Sequence, residues 1–176
     1  MNKKIALITG FTGMVGSHLA DYLLKNTDWE IRGLCRWRSP FDNIKHIIPQ
    51  IERKERIDIL YGDINDYISL ENTFEKVQPD FVFHLAADKR ATIAEEKPAD
   101  VTMQNIISTR NITKLKFGKI IFASTCKAAN PITSYGSSKL ICERIILNTK
   151  KGIVARFVNV FDTSFSVTKI WNDIKS

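Results

Sequence analysis

The chain has few of the residues that staple, span or repeat. Its 176 residues include three cysteines, Cys35, Cys126 and Cys142, an odd number with neither disulfide nor zinc spacing. That excludes a disulfide scaffold and a zinc module, and it predicts no metal site and a reducing, cytoplasmic setting. No apolar run approaches the length that spans a bilayer, so no membrane partner is expected. The short apolar run after Met1-Asn2-Lys3-Lys4 is broken by glycines and reads as a buried strand rather than a signal peptide. There is no repeat, no low-complexity stretch and no Pro-, Gly- or Ser-rich linker, which fits one domain. Lysine and arginine are not interleaved with aromatics along a face, so the net charge of +7 predicts no nucleic-acid partner. It reads as a solvated basic surface or as a field drawing in an anionic ligand.

What is present is an alternation. Apolar runs at 4–9, 29–35, 57–61, 81–85, 119–124 and 153–159 read as strands. Between them, 14–26, 66–77, 98–114 and 134–149 read as helices, with Pro79 ending one and Pro98 opening another. Val15, Leu19, Tyr22 and Leu23 fall on one face of the first helix. Residues 39–54 read as a loop with one helical turn near 44–48, and 167–174 as a last helix. Strands alternating with helices imply parallel strands and right-handed crossovers. The fold class expected is α/β, a Rossmann-type doubly wound parallel sheet of about six strands. Ligands of such sheets bind at the carboxyl ends of the strands, where the order reverses.

The first turn reads Gly10-Phe11-Thr12-Gly13-Met14-Val15-Gly16. Gly10 permits the tight turn, Gly13 lets the backbone approach a pyrophosphate, and Gly16 lets helix pack on strand. The helix start offers free N–H groups and a positive dipole end to phosphate. Thr12, Met14 and Val15 complete this dinucleotide loop. At the end of the second strand stand Arg36 and Arg38, with no acid before Asp42. Arginines suit a ribose 2′-phosphate, whereas an acid would grip a 2′-hydroxyl, so NADP is expected over NAD. Asp63-Ile64 is expected near the adenine, and Leu85-Ala86-Ala87 where the backbone passes the cofactor; both stretches also fit plain packing.

After the fifth strand come Ser124-Thr125-Cys126-Lys127 and then Tyr135-Gly136-Ser137-Ser138-Lys139. Tyr135 and Lys139, four apart, share a helix face. An ammonium there would favour the phenolate, lower the Tyr135 pKa and make it a usable base or acid. Lys139 is also expected on the nicotinamide ribose, and Thr125 on a substrate hydroxyl.

These motifs, with Tyr61-Gly62-Asp63-Ile64-Asn65-Asp66 and Phe83-His84-Leu85-Ala86-Ala87, resemble extended short-chain dehydrogenases, notably nucleotide-sugar dehydratases and epimerases. The Cys35–Pro40 stretch is most similar to GDP-mannose 4,6-dehydratase-like enzymes. Ser124–Pro131, Ala87-Asp88-Lys89-Arg90, Ile93-Ala94-Glu95 and Arg156–Val160 resemble UDP-N-acetylglucosamine 4,6-dehydratases of polysaccharide biosynthesis. The resemblance implies a nucleotide sugar of UDP-N-acetylglucosamine or GDP-mannose type. It implies hydride transfer from sugar C4 to NADP, water loss across C5–C6, and hydride return to C6. In that scheme Tyr135 is the oxidation base, Lys139 its helper and Lys127 the elimination base; Lys89 is counted with the cofactor residues. Relatives also pair helices like 98–114 and 134–149 into homo-oligomers.

The chain departs from that pattern. Cys126 stands where the branch has Asp, and a thiol of reference pKa about 8.5 is a poor carboxyl substitute. Val158, Asp162 and Phe165 stand at glycine positions. The chain stops at Ser176, so 1–160 is expected to be the cofactor-binding domain and 161–176 a tail or the start of a substrate region, most of which is lacking. Three readings follow: a 4,6-dehydratase, truncated or impaired; a non-catalytic cofactor-binding module; or an epimerase or reductase using the same Tyr-Lys pair.

Overall fold

A computed structural model describes residues 3–88 and 91–158. Lys89, the expected helix at 167–174, and the departures at Asp162 and Phe165 lie outside the described residues. Six strands form one sheet: β1 (Ile5–Thr9), β2 (Glu30–Cys35), β3 (Ile57–Tyr61), β4 (Phe81–His84), β5 (Lys119–Thr125) and β6 (Gly152–Phe157). All neighbours pair parallel, in the order β3-β2-β1-β4-β5-β6. That is the doubly wound Rossmann order, reversing between β1 and β4.

The helices are α1 (Met14–Asn26), α2 (Ile48–Glu52), α3 (Tyr67–Val77), α4 (Ala91–Glu96), α5 (Pro98–Thr113) and α6 (Ser134–Leu147). They cover both sheet faces, so the strands are apolar on both sides. Leu7, Val82, Ile120 and Phe122 join residues of α3, α5 and α6 in one cluster. Ala6, Ile8 and Ile31 join Phe11, Ala20 and Leu23 in the other. Each fully buried Leu, Ile or Phe stabilises the fold by about 1.5–3 kcal/mol. α3 starts where the Asp66 carboxylate accepts from Ile68 N and Ser69 N, and ends at Gln78, which takes a left-handed conformation before Pro79.

Two expectations needed correction. Tyr22 is 62% exposed; the buried face of α1 is Gly16, Ser17, Ala20 and Leu23. Small residues there let α1 sit close to the sheet, which leaves a ring no room. The 39–54 loop is mostly helical, a 3-10 stretch Asp42–Ile47 running into α2, because Ile44 and Ile47 are drawn into the core. α4 lies in a stretch to which the sequence pattern assigns no element, because six residues are too few to display a helical period.

Candidate functional site

The parallel order carries the ends of β1, β4 and β5 to one edge of the sheet. Three loops meet there. The first is the glycine loop. Gly10 has φ +70°, and a Cβ on it would press on Ala86 N at 2.9 Å, so it holds the β1 and β4 loops in close contact. A Cβ on Gly16 would collide with Gly10 O and Phe11 O. Gly13 is different: it is exposed, and a Cβ would meet nothing within 4 Å but Gly10 O at 3.1 Å. It is the N-cap of α1, where no side chain caps the helix and no acid lies in the first turn. The leading N–H groups are therefore available to an anion. The Thr12 carbonyl accepts from Asn43 Nδ2 at 2.9 Å, a brace from the 3-10 stretch that sequence reading missed. Met14 and Val15 are half-buried at the helix start.

The second loop follows β4. Leu85 N and Ala86 N both donate to Thr9 Oγ1 at 3.2 Å. The Asn105 side chain, from α5, accepts from Asp88 N at 2.8 Å and donates to Asp88 O at 3.1 Å. It also donates to Ser138 Oγ on α6, at 3.3 Å. Neither Asn105 nor His84 was singled out from sequence. A lone polar residue amid a helical pattern gives no signal beyond its failure to be apolar.

Arg36, Arg38 and Asp63 do come together. With Trp37, Ser39, Pro40, Tyr61 and Gly62 they line a groove of about 660 Å³ at the ends of β2 and β3. Trp37 and Tyr61 meet edge-on there, ring centroids 5.1 Å apart. Asp63 Oδ1 accepts from Asn65 N, while Ile64 turns inward against the core.

The third loop bears the expected chemistry. Thr125 ends β5, and its hydroxyl oxygen accepts from Lys127 N at 3.3 Å, so it is partly engaged already. Cys126 and Lys127 are exposed. α6 opens at Thr133, whose side chain accepts from Gly136 N, while Glu95 accepts from Ser134 N at 2.8 Å. Tyr135 is therefore set in the first turn of a doubly capped helix.

The expected Tyr-Lys electrostatics need correction. The Tyr135 pKa is raised, chiefly by burial and then by negative charge at Asp88 and Cys126. Lys139 is 3% exposed and donates to Ala123 O at 2.6 Å, with its ammonium 4.1 Å from the Phe122 ring centroid. Burial lowers its pKa to about 8, against the opposing pull of Cys142 and Glu143. The ammonium is thus turned toward the β5 backbone. One helical turn on, buried Glu143 takes Arg156 Nε and Nη2 at 2.8 and 2.6 Å and accepts from Ser124 Oγ. That clamp ties α6 to β5 and β6.

A family model described as polysaccharide biosynthesis protein matches residues 6–175. The chain belongs to this family. It is 34% identical over 135 residues to a GDP-mannose 4,6-dehydratase of Vibrio cholerae, covering 71% of this chain and 36% of that protein. It is 30% identical over 182 residues to a UDP-glucose 4-epimerase of Rickettsia bellii, covering 98% and 50%. It is 32% identical over 176 residues to an uncharacterized membrane protein of Methanocaldococcus jannaschii, covering 93% and 51%. Among solved structures, Pen from Bacillus thuringiensis superposes with a TM-score of 0.81 at 28% identity, covering 99% of this chain and 57% of that one. A UDP-glucose 4-epimerase of Thermotoga maritima, solved with UDP-glucose, gives 0.74 at 26%, covering 89% and 56%. The family member described here spans about half the length, or less, of these relatives. Among its described residues, no helix is long and apolar enough to cross a membrane, and no group of metal-binding side chains is found.

Proposed function

We propose that this chain is the coenzyme-binding and proton-transfer part of a nucleotide-sugar 4,6-dehydratase or epimerase, with NADP as coenzyme. The observation that carries the reading is the meeting at one sheet edge of the uncapped α1 N-terminus and the helix turn bearing Tyr135. Residues 1–160 form the binding unit in this proposal.

The fit to a dinucleotide rests on Gly13, whose missing side chain leaves an open approach to the helix N–H groups. Gly10, Gly16 and Thr12 shape that turn, with Met14 and Val15 behind it. Arg36 and Arg38 would hold a 2′-phosphate, and Asp63, with Trp37 and Tyr61, would frame the adenine. Leu85, Ala86 and Ala87 would border the nicotinamide half, and Lys89 is proposed as a further cofactor residue from the family resemblance alone. The bound coenzyme supplies a reversible hydride acceptor.

The chain's own residues do the rest. Tyr135 would take the proton from a sugar hydroxyl as that carbon is oxidised. Lys139 would orient the ribose and, once turned toward the cleft, favour the phenolate. Thr125 would hold the same hydroxyl. Lys127, with Cys126, is the proposed proton acceptor for elimination. The similarity to a GDP-mannose 4,6-dehydratase and a UDP-glucose 4-epimerase supports a nucleotide-sugar substrate.

Cys126 favours a second reading. An exposed thiol beside Tyr135 serves elimination poorly, whereas epimerisation or reduction needs no acid there. The test is incubation with NADP and either UDP-N-acetylglucosamine or GDP-mannose, followed by mass spectrometry for water loss and by proton NMR to distinguish sugar epimers. The dehydratase predicts a 4-keto product lighter by one water, lost in Tyr135→Phe. Epimerised sugar without water loss would select the second reading. Coenzyme binding with no change to any sugar would leave a binding module.

A further inference from the structure

Among the described residues, Lys139 is a buried cation with no carboxylate in hydrogen-bond reach. Among the described residues its hydrogen-bond acceptor is the neutral Ala123 carbonyl, and its other close neighbour is the Phe122 ring. The carboxylate whose charge acts on it, Glu143, has both oxygens committed to Arg156 and Ser124. A cation so placed has lost its water and gained few acceptors in return.

We propose, on the basis of the coenzyme-site reading above, that coenzyme binding recruits a proton to Lys139, so that affinity is set by pH through this side chain. In the free chain burial lowers the lysine pKa to about 8, so a sizeable neutral fraction exists in mildly alkaline solution. An entering dinucleotide brings phosphate charge and ribose hydroxyl oxygens to the cleft. Both favour the ammonium over the amine.

The surrounding groups do not supply the same linkage. On α6, the Cys142 thiol is buried with a raised pKa and Glu143 is held ionised by Arg156. Tyr135 has a raised pKa in the free chain, and any proton it gives up when the Lys139 ammonium favours its phenolate is removed from the balance by the Tyr135→Phe variant. From β4, His84 is buried and neutral, its pKa lowered to about 3. From the loop after β4, the negative charge of Asp88 acts on Tyr135. From β6, Arg156 stays a cation bound to Glu143. The β5 neighbours, Phe122 and Ala123, do not titrate.

The direction follows from linkage. If the complex holds the protonated form, affinity is unaffected well below the free pKa and weakens as pH rises through it. Between about pH 7 and pH 9 the loss is about tenfold, with uptake reaching about 0.9 proton per coenzyme.

The experiment is calorimetric titration of the full chain with NADPH, whose nicotinamide is uncharged, at several pH values in buffers of unlike ionisation enthalpy. Uptake rising with pH in wild type and in Tyr135→Phe, but abolished in Lys139→Met, supports the proposal. Binding without uptake, or uptake that survives Lys139→Met, overturns it. An independent readout covers misfolding of that variant: a lysine Cε resonance titrating near pH 8 in the free wild-type chain and not in the complex. If no lysine resonance behaves so while NADPH binds, the proposal is wrong. Absence of NADPH binding at every pH, by heat and by Trp37 fluorescence, would instead overturn the coenzyme reading itself, and this inference with it.

Discussion

Thr9 on β1 and His84 on β4 are register partners, and the Thr9 hydroxyl meets the imidazole Nδ1 at 2.9 Å in a fully buried setting. Thr9 Oγ1 already accepts two backbone N–H groups, so its proton goes to Nδ1. The imidazole proton is then on Nε2, facing Thr109 Oγ1 at 3.2 Å, and Thr109 donates to Asn105 O. The directions agree along the whole chain, which fixes His84 as neutral.

His84 therefore opposes acid. Burial lowers its pKa to about 3, below the unfolded value near 6.5. Its contribution is complete above the unfolded value and is lost as pH falls through that window. Urea midpoints should drop between about pH 7 and pH 4.5 in wild type and drop less in His84→Gln. That variant should itself lose about 1–3 kcal/mol at neutral pH. Identical pH profiles for the two would refute the assignment.

Gly16 and Gly13 should separate folding from binding. Gly16→Ala drives a methyl into Gly10 O and should cost about 1–3 kcal/mol or more in thermal unfolding. Gly13→Ala makes one tight contact, with Gly10 O at 3.1 Å, on an allowed backbone of φ −75°, so melting should fall much less than in Gly16→Ala. Coenzyme affinity in Gly13→Ala should fall roughly tenfold or more, because its methyl occupies the approach to the helix N–H groups. Unchanged affinity would remove the phosphate loop from the model of binding.

Glu143 should be acid-sensitive in the familiar carboxylate sense. The Arg156 hydrogen bonds hold its pKa below the usual value, so its stabilising effect is present above that value and vanishes as pH falls. Arg156→Met should destabilise the chain clearly at pH 7 and much less at pH 4, where the stranded carboxyl is protonated. Chemical denaturation at the two pH values decides it.

Coenzyme choice should lie in the β2–β3 groove. Replacing both Arg36 and Arg38 by Ala should weaken NADP by roughly tenfold or more and leave NAD within about twofold. Trp37, 79% exposed beside Tyr61, gives the fluorescence signal for both titrations. Equal losses for the two coenzymes would move 2′-phosphate recognition elsewhere.

The strand order and the glycine turn were legible because their signals are local: apolar runs, glycine spacing, helix-breaking prolines. Arg36, Arg38 and Asp63 were also legible, since the ends of adjacent parallel strands must be neighbours. Asn105, Asn43 and Glu95 were not. Each acts on a backbone group 17, 31 or 39 positions away, and no short window contains both partners. The Tyr135–Lys139 reading had the spacing and missed the solvent: helix geometry says which face a lysine shares, not that its amine is folded over Phe122.

The two margins of the sheet are unequal. β3 carries Asp58 and lies against α2. β6 pairs with β5 on one side, and its exposed Ile153, Phe157 and the following Val158 lie along a row of main-chain groups unpaired among the described residues. Such a border is adhesive. At high concentration the isolated chain should pair through it into dimers or larger species, and a charged residue at Ile153 should keep it apart while leaving the coenzyme edge untouched.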